Sequence, residues 1–353
     1  MRVIWFFIVM ACFPRLSQAQ MVNGSDTLYG NEWIRYQNPY LRIKIAADGV
    51  YRIPHQQLLA GGLPSGSVPA AALRLYRQGV QVPIYTTTEN LMSDSDFIEF
   101  WGERNKGAVD RYLTDNPAQQ LLNDQYSIFN DTIIYYLTWD DGAAPERISA
   151  SPNDLSNLPA KTEWCWYDAL RVYDNNYFKR GISYDITYSW YDGDGWGLNI
   201  ANGTLSQSLP DMQMSGPPAT LTFRNAYNLE QHEVSIKAND SLIVSESHNG
   251  FSIRTYTATL PNSLLNGNLN LKIEVPGAAC LASTSVRYTR KTSFGNATTA
   301  LFELDPSPTG HYLEISAFNS GSALPVLYDL NAGQRWETVV ESGLVKVFLP
   351  ASD

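Results

Sequence analysis

Short runs of alternating or continuous apolar residues, each closed by a turn signal, recur from Tyr40 to Leu349, while few stretches carry an amphipathic helical period. That pattern commits the chain to sheets, because a side-chain period of two sets one apolar face of each run against a core. Residues 40–45 place Leu41, Ile43 and Ile45 on one face, and Asp48-Gly49 predicts a hairpin with residues 50–53 as the partner strand. Pro54 can open a short helix over 56–60, which Gly61-Gly62 stops. Further strands are expected at 73–77 and 80–85 around Gln78-Gly79, then at 97–101 and 133–139. The polar, turn-rich stretch between those last two answers to no evident packing requirement. Asp140-Asp141-Gly142 and the Ala/Pro-rich residues up to Pro159 read as a linker.

A second set of strands follows. Residues 183–191 alternate, with Tyr184, Ile186, Tyr188 and Trp190 on one side. Short strands are expected at 221–224, 232–238, 241–246, 252–260, 269–275 and 286–290, several separated by Asn239-Asp240, Asn249-Gly250 and Asn266-Gly267. Such spacing reads as a sandwich or jelly roll. Five more strands run from Ala300 to Leu349, and the sequence stops soon after the last. The expected class is all-β: a mostly-β N-terminal domain over 20–150, a jelly-roll-like β-sandwich over 151–295, and a further β module over 296–353 that reads as truncated. Twenty-one Tyr and nine Trp fit this class, since aromatic side chains pack well on pleated surfaces.

Residues 1–19 read as a signal peptide. Arg2 supplies a positive start, residues 3–13 an apolar run too short to span a bilayer, and Ser17-Gln18-Ala19 a cleavage site before Gln20. Val9-Met10-Ala11-Cys12 offers lipoprotein processing as the competing reading, without the usual Leu. No later run is long enough for a transmembrane helix. Removing Arg2 and Arg15 from the 25 basic residues leaves 23 against 35 acidic ones, taking the formal charge from −10 to −12. Dispersed acidity argues against nucleic acid, which needs clustered Lys and Arg. Cys165 and Cys280 survive maturation, and an exported chain permits a disulfide between them; two buried free thiols are the alternative. A bridge closing a loop of ~100 residues would contribute ~4–5 kcal/mol on chain entropy alone.

Several motifs, taken in order, resemble the N-terminal, non-catalytic region of Bacteroidota gingipain-like cysteine peptidases (family C25), including sortases of the type IX secretion system. Those motifs are Asp48-Gly49-Val50-Tyr51-Arg52-Ile53, Leu73-Arg74-Leu75-Tyr76 with Val82-Pro83-Ile84-Tyr85, and the segment from Asp96 to Trp139. Tyr188-Ser189-Trp190 with Gly193-Asp194-Gly195-Trp196 follows, then Tyr312-Leu313-Glu314-Ile315 and Pro325-Val326-Leu327-Tyr328-Asp329-Leu330. The resemblance implies a C-terminal peptidase domain of the same protein as partner, with type IX secretion components beyond it. It also implies export to the periplasm, outer membrane or cell surface. In that family a Cys–His dyad follows this region, the His in a Gly-flanked strand end. None of His55, His232, His248 and His311 has Gly on both sides, so no catalytic residue is carried over.

Other chemistries are open to the residues themselves. Asp192 and Asp194, in Asp192-Gly193-Asp194-Gly195, could hold calcium in a tight loop, although no EF-hand Glu follows and plain Asp-Gly turns are the commoner use. Trp164, Trp166, Tyr167, Trp190, Tyr191 and Trp196 could form a sugar platform, which makes a free-standing carbohydrate-binding or adhesion module the rival function; core packing is the ordinary role of such rings. A pro-region restraining a peptidase is a third reading. Glu99, Glu103 and Asp110 invite an acid/base reading, against which a solvated strand edge is the simpler account. No Gly-x-Ser-x-Gly elbow is present.

Overall fold

The structure is a computed structural model that describes residues 21–23, 26–28, 30–139, 142–178, 194–200, 202–227, 231–249, 252–275 and 279–351. The leader with its cleavage point, Cys12, the strand expected over 183–191 with Trp190 and Tyr191, and Asp192 all lie outside the described residues.

The protein is all-β. Its N-terminal module holds two sheets, one ordered Leu41–Ile45, Ile133–Trp139, Leu73–Arg77, Val80–Val82 and the other Gly49–Pro54, Phe97–Gly102, Tyr85–Thr86. Ile45, Leu75, Ile98, Phe100, Tyr135 and Leu137 belong to the core they share. The hairpin expected across Asp48-Gly49 does not form: Leu41–Ile45 pairs with Ile133–Trp139, and Gly49–Pro54 with Phe97–Gly102. Each strand is buried on alternate residues only. Crossing between sheets lets both apolar faces enter one core, which a two-stranded ribbon does not provide. Gly102 ends its strand where a Cβ would come 2.7 Å from the Tyr51 ring. The second hairpin forms as expected, with Arg77 opposite Val80 and Gln78 and Gly79 at φ 50° and 83°, the left-handed pair a tight hairpin turn requires. Trp33 lies over that turn and stacks on Tyr76 at 5.2 Å.

The sandwich is built around the long strand Ala279–Arg290, which pairs with Cys165–Val172, Gly195–Ile200 and Ala219–Tyr227. Asn176–Phe178 and Ser252–Leu260 extend this sheet outward. The facing sheet runs Gly203–Ser208, Asn268–Glu274, Gln231–Ala238, Ser241–Asn249. Leu221, Phe223, Ile236, Leu271, Ile273, Val286 and Tyr288 are buried in the core cluster of this sandwich. Asn239 and Asp240 turn at φ 43° and 64°, as their sequence predicts. Ala279–Arg290 outruns the expected 286–290, because its first half is buried residue after residue and shows no alternation.

The last module has the sheet Ser293–Ala297, His311–Phe318, Leu344–Leu349, Val339–Glu341, and the hairpin Val326–Asp329 with Gln334–Glu337. A third strand joins that hairpin from far back in the sequence: Ser149–Ser151 pairs in parallel with Gln334–Glu337. The stretch read as a linker is therefore structural. Ile148 donates its N–H to Ile84 O at 3.0 Å, and Arg147 donates to the carbonyls of Ala70, Ala71 and Leu73. Asn153 gives Nδ2 to Lys346 O and accepts from Phe348 N, both at 3.0 Å. Part of its polar composition serves these bonds. Among the described residues no helix is long and apolar enough to cross a membrane.

Candidate functional site

Among the described residues, extended polar networks lie where the modules meet. The first junction is the connection over residues 103–132, which leaves Phe97–Gly102 and returns as Ile133–Trp139. Its middle is seated in the sandwich. Leu122 is completely buried among Phe178, Ala226, Cys280 and Ala282. Leu122 N donates to Asp194 O, and Asp194 N to Gln120 O, both at 3.0 Å. Asn123 Nδ2 reaches the carbonyls of Tyr173, Trp196 and Ala282, and Trp196 Nε1 donates to Ile128 O. Arg224, only 8% exposed, gives Nε to Leu122 O at 2.8 Å and Nη2 to Ala118 O and Leu121 O at 2.7 and 2.8 Å. Burial pulls the Arg224 pKa below its usual value and outweighs the opposing charge of Asp124. Gly195 faces this strap at φ 155°, where a Cβ would come 2.8 Å from Leu122 Cβ. The turn-rich stretch that seemed free of packing demands is thus a strap that the sandwich grips, and its polar backbone is what is gripped.

The second junction is centred on Glu99, 2% exposed, on the strand Phe97–Gly102. Its Oε1 accepts from Arg52 Nε at 2.7 Å; its Oε2 accepts from Arg335 Nε at 3.0 Å and from the Tyr328 hydroxyl. Arg52 lies over the Phe97 ring at 4.0 Å and Arg335 over the Tyr85 ring at 4.6 Å. Burial first, and then the Glu99 carboxylate, push the Tyr328 hydroxyl far above its ordinary range. Burial opposes the charge on Arg335, but Tyr328 and Glu99 outweigh it and leave its pKa raised. The sequence offered Glu99 as an acid/base candidate; what it lacked was any sign that Tyr328 and Arg335, some 230 residues on, would close over it.

The remaining sequence candidates are engaged too. Glu103 pairs with Arg77 and with Lys106, which outweigh its burial and lower its pKa. Asp110, 1% exposed, accepts from Ile128 N at 2.9 Å through one oxygen, while its other oxygen has no hydrogen-bond partner. Asp96 shows what a hydrogen-bonded turn does to a carboxyl: Ser93 Oγ and N and Thr87 Oγ1 all donate to it, holding its pKa near 2. A depressed folded value means that its contribution to stability is present above the ordinary carboxyl range and is lost as pH falls through about 2. A carboxyl titration of Asp96 followed by NMR is expected to show a midpoint near 2; a midpoint near 4 would count against this turn geometry.

The disulfide candidate is corrected. Cys165 and Cys280 are both buried free thiols. Cys165 stands opposite Arg290 in the strand pairing, and Cys280 lies ten residues earlier on that same strand, a separation of roughly 30 Å at strand rise. Burial pushes the Cys165 thiol up to about 12, Arg290 notwithstanding, and pushes Cys280 up as well. Neither is a nucleophile in this state. Thiol reagents are expected to label neither cysteine in the native protein and both after denaturation; rapid labelling of the folded chain would contradict the packing.

The described aromatic candidates are committed to packing. Trp166 meets Trp164 edge-on at 5.5 Å, carries Arg287 at 5.1 Å, and donates Nε1 to Asp305. Trp196 lies between Tyr126 and Tyr177, and Tyr167 between Tyr288 and Arg290. Asp194 carries the backbone bonds to the strap. Among the described residues no group of three His, Cys, Asp or Glu side chains could hold a metal ion. An open depression of about 400 Å³ lies against Asn202, Glu233, Ser235, Ser245 and Glu274. Lys272 and Lys237 hold the Glu274 carboxyl there near 2.

No protein-family model and no curated protein matches this chain. Among solved structures it is similar to dimeric latent PorU from Porphyromonas gingivalis, with a TM-score of 0.52 and 15% identity over 88% of this chain and 30% of that one. It therefore spans less than a third of PorU's length. Two carbohydrate-binding CBM36 structures match 34% of the chain. One is from a xylanase of the Trinervitermes trinervoides hindgut metagenome, at TM-score 0.21 and 14% identity over 96% of its length. The other, in complex with calcium and xylotriose, matches at 0.20 and 11% over 98%. Likenesses that slight carry no argument. The PorU likeness, at such low identity, is one of fold: most of this chain is arranged as a part of PorU is arranged.

Proposed function

We propose that this chain is the non-catalytic front of an exported gingipain-like cysteine peptidase, sortase-like in type IX secretion. It would act at the periplasm, outer membrane or cell surface, with a C-terminal peptidase domain of the same protein as its first partner. The observation that carries this reading is the fold likeness to latent PorU along 88% of the chain, beside the motifs that resemble the gingipain-like family. The side-chain chemistry is in keeping with it. Among the described residues both thiols are buried, His55 is buried, and His311 is bonded to Asp305 O and Thr162 Oγ1. Each carboxylate weighed for acid/base work is held by cations or backbone N–H groups. In this role the chain is a platform whose polar groups fix the modules relative to one another, leaving peptide cleavage to the peptidase domain.

The test is the reading frame beyond codon 353. A frame continuing into a Gly-His-Gly strand end and a later Cys is expected. A stop codon directly after Asp353, together with glycan-array binding by the purified chain, would replace this reading with the carbohydrate-binding module.

A further inference from the structure

We propose that the described residues of 40–151, except the strap around Leu122 that the sandwich holds, fold with 293–351 as one discontinuous unit into which the β-sandwich is inserted, with Glu99 at the joint between the two halves. Two independent features of the packing lead there. The hairpin Val326–Asp329 with Gln334–Glu337 is completed by Ser149–Ser151, so this small sheet belongs to both halves at once. The same hairpin supplies Tyr328 and Arg335 to a carboxylate on the N-terminal strand Phe97–Gly102. Just beyond Ser151 the connection to the sandwich runs along the same last sheet, where Asn153 bridges to Lys346 and Phe348 and Thr162 N donates to Tyr312 O at 2.8 Å.

The last module also fails as a domain by itself. Its core is small, built on Phe294, Leu313, Ile315, Val345 and Val347, and it borrows Cys165 from the first strand of the sandwich. So few buried apolar side chains in a module of this size seldom hold a fold unaided. Detached, it would also carry Arg335, now 8% exposed and paired with Glu99, without its counter-charge. The sandwich is in the opposite position, with its own extensive core between two sheets. Three β modules in a row would unfold piecemeal; two halves sharing a sheet and a buried charge should open together. This inference does not depend on the proposed function.

Hydrogen exchange on the full chain tests it, using Tyr328→Phe, which keeps the ring and removes only the hydroxyl, beside Glu99→Gln. Exchange is expected to accelerate roughly ten-fold or more, and together, in residues 49–54, 97–102, 149–151 and 326–337. The sandwich strands 219–227 and 279–290 should stay as protected as before. Acceleration confined to 326–337 would overturn the proposal in favour of serial modules. Equal acceleration through the sandwich would overturn it in favour of one cooperative block, and no acceleration would show that Glu99 is not the joint. If Glu99→Gln fails to fold, Tyr328→Phe alone decides among these outcomes.

Discussion

Arg224→Met should destabilise the protein by roughly 3–6 kcal/mol, a loss far beyond that of an ordinary surface arginine. Its guanidinium satisfies three carbonyls of the strap, those of Ala118, Leu121 and Leu122, and also bonds Thr255 Oγ1. Methionine fills most of the same volume but donates nothing, so buried carbonyls are left without partners at about 1–3 kcal/mol each. Arg224→Lys should recover only part of the loss, because an ammonium cannot reproduce the planar fork that spans several acceptors. Chemical denaturation of the three proteins reads the difference. A methionine variant within about 1 kcal/mol of the parent would mean that the strap is held without help from the Arg224 guanidinium.

Glu99→Ala is the second large effect, expected at about 3–5 kcal/mol, because removing one member of a buried ion pair strands its partners. Arg335 and Tyr328 would face each other without the carboxylate that organises them. Arg52→Ala touches the same carboxylate and should cost no more than about 1 kcal/mol, since Arg52 is 47% exposed and remains hydrated. The contrast between the two variants, measured as shifts in denaturation midpoint, separates a buried joint from a surface ion pair. Equal losses would show that the joint is no more desolvated than Arg52.

Much of the secondary structure was legible in the sequence, because alternation and turn residues are local signals. Gln78-Gly79 and Asn239-Asp240 turn where they should, since only a few residue types accept their left-handed backbone. Asp48-Gly49 misled for the opposite reason: a turn signal says that the chain reverses, not which strand lies beside it afterwards. Leu41–Ile45 found its partner about ninety residues later. The junctions were harder still. Glu99 looked like a charged strand-edge residue, and 140–159 looked like a tether, because polarity alone does not distinguish groups bonded to water from groups bonded to distant protein. Burial without alternation hid the first half of Ala279–Arg290. Cys165 and Cys280 looked pairable because sequence separation carries no information about distance along a shared strand.

The parallel pairing of Ser149–Ser151 with Gln334–Glu337 also sets an order of events for a ribosome-borne chain. The sandwich can close while synthesis is still under way, but the edge at 149–151 waits for nearly two hundred further residues to emerge. Through that interval the strand Phe97–Gly102 bears an acid with two of its protein donors not yet made, and a short neighbouring edge stands open to other chains. A polypeptide that folds only once all of its length is present meets no such delay and so avoids a long-lived half-finished state.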